Sequence, residues 1–464
     1  MCRQRNKEAK DEANSSGTGS SPSSFRYKFF SIVALLIPIL IGALFKSLSL
    51  NLDRPIPVEA VPLWQTSELH WAIRYFFGYL FKVLLPVGEL MKCPTVVDWM
   101  NATQVDEVKS CINPVRDALA KADEVVDLNA LFDVQVIDIQ RTSGKDDSPV
   151  HVTLLKKKRS SDANATNNND SAAPLILYMH GGGFTVRGGK GSLAAQMFGY
   201  LHQLGENDDE SFIDDAVWAM VDYRLAPEHI YPAATDDCML ALNHLVEEMN
   251  LGRGGIHISG VSAGATLAME VTLKSIDSMA IDSFYVDEPM VPIPSTNVEQ
   301  KSWSLDSNSL RRYSYSRIPP VDWLEWCLKA MTGMDTNHDL ESSLAYGMIE
   351  TDVDITGGAI DAANWKLAFD NSSSSQLPRL FLVAANGDPL KDGGVYFKNV
   401  YEEVIQQVEA EAPENSERQP QIKYVEPSSG HTLYYTFEQP IFEDTMREWY
   451  NEMKTAHLRR LNGS

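Results

Sequence analysis

Apolar positions along this chain fall into three kinds of run. The first is unbroken: Phe29 to Phe45 reads FFSIVALLIPILIGALF with no charge, and as a helix it would be about 26 Å long. Extended to Leu50 it predicts a helix able to cross a hydrocarbon core of about 30 Å, in which Pro38 and Gly42 are tolerated. The second kind is short. Leu131 to Gln140 and Val150 to Leu155 alternate as half-buried strands do, whereas Pro174 to Met179, Ala216 to Val221, Gly255 to Ser259, Arg379 to Ala385 and Ile422 to Val425 are brief runs expected of strands. The third kind has helical spacing. It predicts helices over Asp106 to Val126, Thr235 to Met249, Ala263 to Ser275, Gly393 to Val408 and Glu438 to His457, the last with a stripe of Phe442, Met446, Trp449 and Met453. Short strands alternating with helices predict an α/β fold with a mostly parallel sheet covered on both faces.

The rhythm breaks in three places. Trp71 to Val87 is apolar but carries Arg74 and Lys82, which suits an amphipathic helix on a membrane or over a site, or an ordinary buried helix. Residues 156–173 are polar and of low complexity, as in a surface loop. Residues 293–360 hold Pro-rich spots and a helix with Trp323 and Trp326, and read as an insertion over the carboxyl ends of the strands, where such folds place their sites. The expected organisation is a polar basic tail over 1–28, an anchor over 29–50, a linker and N-terminal cap helices over 51–128, and one α/β unit over 129–464 that carries the 293–360 insertion.

Net charge changes the list of partners. At −23 for the whole chain, nucleic acid is not an expected partner, because displacing counterions from phosphates needs Lys and Arg. The tail before the anchor runs the other way, with six basic residues against three acidic. By the positive-inside rule it stays cytoplasmic and the body is lumenal, as in a single-pass protein of the endoplasmic reticulum. Cleavage near Ser47 or Ser49, giving a secreted product, is the alternative. Five sequons, at Asn101, Asn164, Asn169, Asn371 and Asn462, agree with that compartment. It would also permit a disulfide, for which Cys93 and Cys111 are the candidates. No CxxC or HExxH occurs, so no metal and no cofactor is expected. Oligomeric state is not legible.

Two glycine-rich motifs carry the chemistry. Gly260-Val261-Ser262-Ala263-Gly264 lies between a strand and a helix. There a tight turn strains the serine and lifts its hydroxyl out of the sheet as a nucleophile. His180-Gly181-Gly182-Gly183-Phe184 directly follows a strand. Its Gly182 and Gly183 N–H groups, with that of Ala263, are the expected oxyanion hole for acyl transfer. A serine needs a base, and downstream of Ser262 the choices are His338, His431 and His457. His431 lies in a loop after the last predicted strand, where a base must sit. Asp388 and Asp392 follow the preceding strand; Asp388, at its end, is the expected acid, and Asp392 a helix N-terminal residue.

HGGGF, then VDYRLAPEH at Val221 to His229, GVSAG, GDPLKD and SGH arrive in an order that resembles the hormone-sensitive lipase family of α/β-hydrolases. With the leading anchor the chain is most similar to the membrane-bound arylacetamide deacetylase and neutral cholesterol ester hydrolase branch. The resemblance implies an α/β-hydrolase fold with a helical cap, and a serine esterase or lipase acting on small-molecule or lipid esters. It gives Tyr223 to Glu228 a structural role. The family often has Asp where Val261 stands, and Gly-Phe where Thr432 and Leu433 follow the histidine. An amidase on the same triad and a silent hydrolase-fold receptor for a small ligand are the competing expectations.

Overall fold

Eight strands build the main sheet: β1 (Phe132–Ile139), β2 (Val150–Lys157), β3 (Leu175–Met179), β4 (Val217–Asp222), β5 (Ile256–Val261), β6 (Ser283–Asp287), β10 (Arg379–Val383) and β11 (Lys423–Val425). Their spatial order is β1-β2-β4-β3-β5-β6-β10-β11. β1 and β2 are antiparallel to their neighbours, and from β4 to β11 every pairing is parallel. The computed structural model describes residues 93–94 and 102–462, apart from 124–126, 142–147, 159–172, 188–191, 207–211, 295–302, 305–308, 311–318, 320, 334–349, 352, 373–375, 412–421 and 433. The expected tail and anchor, the Trp71 to Val87 segment, most of the polar loop, His338 and the sequons at Asn101, Asn164 and Asn169 lie outside the described residues.

Continuous apolar strands feed two cores at once. Along β3, Leu175, Leu177 and Met179 point into one core, while Ile176 and Tyr178 point into the other. β4 repeats the division, with Val217, Ala219 and Val221 on one side and Trp218 and Met220 on the opposite side. A period-2 backbone with no polar position can be stable only if helices cover both faces. On the first face lie α1 (Ala102–Asp123), α3 (Ala233–Asn243), α4 (Ala263–Ser275), α6 (Ala362–Asn371) and α7 (Lys391–Glu411). On the second lie α2 (Ser192–Glu206) and α8 (Gln439–Leu461). The stripe expected on the closing helix is buried: Phe442, Met446, Trp449 and Met453 all enter the second core.

Several elements depart from the sequence pattern. β6 is not among the predicted strands, because Ser283 and Asp287 leave an apolar run of only three residues. α2 and α6 also went unassigned. The helix expected to reach Met249 ends its regular turns at Asn243 and continues as a wider turn through Glu248. In the 293–360 segment, expected to be a helical cap, α5 (Val321–Thr332) is joined by a small antiparallel sheet of β7 (Ile293–Pro294), β8 (Trp303–Ser304) and β9 (Glu350–Thr351). Cys93 and Cys111 do form a disulfide, and Trp326 Nε1 donates to Cys93 O at 3.0 Å, which fastens Cys93 to α5. Among the described residues no helix is long and apolar enough to cross a membrane.

Candidate active site

β5 ends at Val261 and α4 begins at Ala263, so a single residue turns the chain. Ser262 therefore takes φ 57° and ψ −122°, a conformation that costs a residue with a Cβ about 1–3 kcal/mol. Missing side chains around it make the turn possible. A Cβ on Gly260 would lie 2.0 Å from Gly264 O, and one on Gly264 would lie 2.1 Å from Met179 O. Those obstacles are backbone and cannot swing aside. The Gly264 contact also seats the turn directly on the end of β3. Ser262 N donates to Asp287 O at 2.7 Å, tying the turn to the end of β6.

β3 runs into His180, and the chain then bends sharply, with φ of 114° at Gly182, 60° at Gly183 and 63° at Phe184. Thr185 N and Val186 N both donate to Gly182 O at 3.1 Å. Among the described residues the N–H groups of Gly182, Gly183 and Ala263 donate to no backbone carbonyl. Fixed donors with no internal partner are what a developing oxyanion requires. The bend is braced from below. Tyr223 OH donates to His180 O at 2.6 Å and its ring stacks on His180 at 4.2 Å. Arg224 pairs with Asp237 at 3.0 Å. Glu228 accepts both ends of the Arg116 guanidinium, which also donates to Thr185 O at 2.9 Å and Ala226 O at 3.1 Å. Residues Tyr223 to Glu228 thus hold the glycine loop in place. α5 packs above it: a Cβ on Gly183 would meet Cys327 Sγ at 2.4 Å and Trp323 at 3.3 Å.

The expected acid and base meet because β10 and β11 are parallel neighbours, so the loops at their carboxyl ends lie side by side. Asn386 N donates to Pro427 O at 2.7 Å and Gly387 N to Ser429 O at 2.9 Å. Asp388 Oδ1 accepts from Leu390 N at 2.9 Å. Its Oδ2 lies 2.7 Å from His431 Nδ1, with both residues buried. Asp392 is elsewhere, in the first turn of α7, accepting from Ser309 N at 2.7 Å. His457 is within α8, with Nδ1 3.1 Å from Gly254 O. No hydrogen bond joins Ser262 Oγ to His431 among the described residues; such contacts commonly tighten only around a bound substrate.

Two carboxyls that the motifs do not announce complete the site. Asp287 Oδ2 accepts from Tyr434 OH at 2.8 Å and from Tyr435 OH. Burial pushes its carboxyl up to about 7, against the hydrogen bonds of those two tyrosines. Glu288 Oε2 accepts from Thr432 N and lies 3.2 Å from His431 Nδ1. Burial first, then the charges of Asp388 and Asp287, push Glu288 well above the usual glutamate range. Glu288, Asp388 and His431 present ligand atoms within 4.8 Å of one another, so they are also the described residues that could hold a divalent ion. The only signal for Glu288 was its place after an unassigned strand.

A family model described as alpha/beta hydrolase fold matches residues 176–417. The esterase LipI of Mycobacterium tuberculosis is 27% identical over 228 residues, which are 48% of this chain and 58% of that protein. Arylacetamide deacetylase-like 2 of Homo sapiens is 34% identical over 131 residues, 27% of this chain and 28% of that protein. The chain thus spans less than two thirds of these relatives. A solved structure of an esterase rPPE variant superposes with a TM-score of 0.51 at 17% identity, over 74% of this chain and 89% of that one, a likeness of fold. With more than half of its length matched by the family model, the chain belongs to the α/β-hydrolase fold family.

Proposed function

We propose that this protein is a serine carboxylic-ester hydrolase that acts on apolar acyl esters through an acyl-enzyme. The observation that carries the reading is the buried Asp388–His431 pair at 2.7 Å, next to a strand end that also holds the strained Ser262. Ser262 Oγ attacks the ester carbonyl while His431 Nε2 takes its proton. The tetrahedral oxyanion receives the N–H groups of Gly182, Gly183 and Ala263. His431 then protonates the departing alcohol, and water repeats the sequence to release the acid. Asp388 holds the imidazole with its proton on Nδ1 and balances the imidazolium. No step calls for a cofactor. Retention of every triad member favours turnover over a silent receptor, and esters over amides is the reading that LipI supports.

On this proposal residues 29–50 anchor the protein in the endoplasmic reticulum membrane with the catalytic unit lumenal, and 293–360 with the N-terminal helices forms the cap. The branch of the arylacetamide deacetylases and neutral cholesterol ester hydrolases fits that arrangement. The Cys93–Cys111 disulfide supports an oxidising compartment, and Asn371 and Asn462 are exposed, as sequons that accept glycans must be. Fluorophosphonate labelling of the purified protein tests the chemistry. Labelling is expected in the parent and absent in Ser262→Ala and His431→Ala; ester hydrolysis unchanged in Ser262→Ala overturns the proposal.

A further inference from the structure

We propose that Glu288 is a positioning residue of this site, a second carboxyl on His431 Nδ1 that takes over from Asp388 as the acceptor fixing the imidazole. The inference rests on the esterase reading for its kinetic arm only. Its basis is geometric. Nδ1 has Asp388 Oδ2 at 2.7 Å and Glu288 Oε2 at 3.2 Å, so one N–H faces two acceptors. The same Oε2 accepts the N–H of Thr432, the residue after the base, so Glu288 also sets the backbone from which His431 projects. Thr432 takes φ 54° and Glu288 φ 52°, two strained residues facing each other across that hydrogen bond. Glu288 is placed as firmly as Asp388: its own N donates to Val383 O at 2.9 Å at the end of β10. Its other oxygen, Oε1, is buried with no hydrogen-bond partner among the described residues, an expensive placement for a group with only a packing role.

Two buried carboxyls this close do not both ionise readily. Burial and the neighbouring Asp388 both push the Glu288 carboxyl upward. With Asp388 replaced, Glu288 Oε2, 3.2 Å from His431 Nδ1, is the carboxyl oxygen left facing that N–H. Asp287 and Glu438 are the other acids whose charge acts on Glu288; Asp287 is engaged by Tyr434 and Tyr435 and Glu438 by Ser428 N, so neither substitutes for it at Nδ1.

The test compares the full chain with Asp388→Asn, Glu288→Gln and the double variant, using a p-nitrophenyl ester. Replacing the acid of a triad that has no second carboxyl lowers kcat about 10⁴-fold. Here Asp388→Asn is expected to lose about 10²-fold, Glu288→Gln less than about 10-fold with KM unchanged, and the double about 10⁴-fold. A double variant whose loss equals the product of the single losses overturns the proposal. A second readout needs no turnover: the downfield Nδ1–H proton resonance of His431 should persist in Asp388→Asn and vanish in the double. Its loss in Asp388→Asn alone overturns the assignment, and that variant decides the matter even where Glu288→Gln fails to fold. A parent inert on every ester that still shows this resonance pattern overturns the esterase reading and supports the role of Glu288.

Discussion

Buried titratable groups make single residues visible in the pH dependence of this protein. His257 is fully buried in β5, with Nδ1 2.8 Å from Ser283 Oγ. Burial lowers its pKa to about 4. The folded state therefore refuses a proton that the unfolded chain accepts below about 6.5, so stability falls as pH drops from about 6.5 to about 4. Asp287 works with the opposite sign: raised to about 7 by burial, it stays protonated when folded, so its contribution is present below about 4 and lost as pH rises to about 7. The two overlap in one window, and only a variant separates them. His257→Gln is expected to reduce the fall in urea-unfolding free energy between pH 7 and pH 4.5 by about 2 kcal/mol. An unchanged slope would mean that His257 is charged in the folded state.

At the scale of elements, the strand–turn–helix around Ser262 and the helix α2 make opposite demands on glycine. In the turn, a Cβ at position 264 runs into Met179 O, and relief would require β3 and α4 to separate. Gly264→Ala should cost about 3 kcal/mol or more and abolish activity in whatever protein folds. In α2, a Cβ at Gly199 meets nothing within 4 Å. Gly199→Ala should stabilise by about 0.5–1 kcal/mol, since alanine narrows the unfolded ensemble and favours helix. Thermal unfolding of the pair checks both signs; equal effects would show that helix propensity alone matters at these glycines. The turn was legible in sequence because its cause is local and steric. β6 was not, because five residues show no period and its strand identity comes from pairing with β5 and β10.

For the molecule as a whole, the disulfide and Trp326 fasten the N-terminal segment to α5, and Arg116 of α1 ties it to the glycine loop. Cys93 and Cys111 are 18 residues apart, a loop whose closure contributes about 3 kcal/mol through the unfolded chain. Cys111→Ser should lower Tm and raise KM more than it lowers kcat, because it loosens α1 and α5 around the glycine loop and leaves the Asp388–His431 pair untouched. Tm and steady-state kinetics of the variant measure this; kcat falling with KM fixed would place the N-terminal segment in the chemistry itself.

The amino-acid sequence by itself determined the layered α/β architecture, the turn at Ser262 and the glycine loop at Gly182 and Gly183. Each follows from a rule acting over a few residues: the period of apolar positions, or the space a Cβ would occupy. It also narrowed the acid and base to Asp388 and His431, because strand order dictates which loops lie at one end of a parallel sheet. Only the tertiary structure decided that Glu288 shares His431 Nδ1, that Arg116 grips Glu228, and that the 293–360 insertion holds strands beside its helix. The first two of those contacts join residues 143 and 112 positions apart. No periodicity spans such distances: the first exists only once the end of β6 and the loop after β11 are packed together, the second only once α1 packs on the segment after β4.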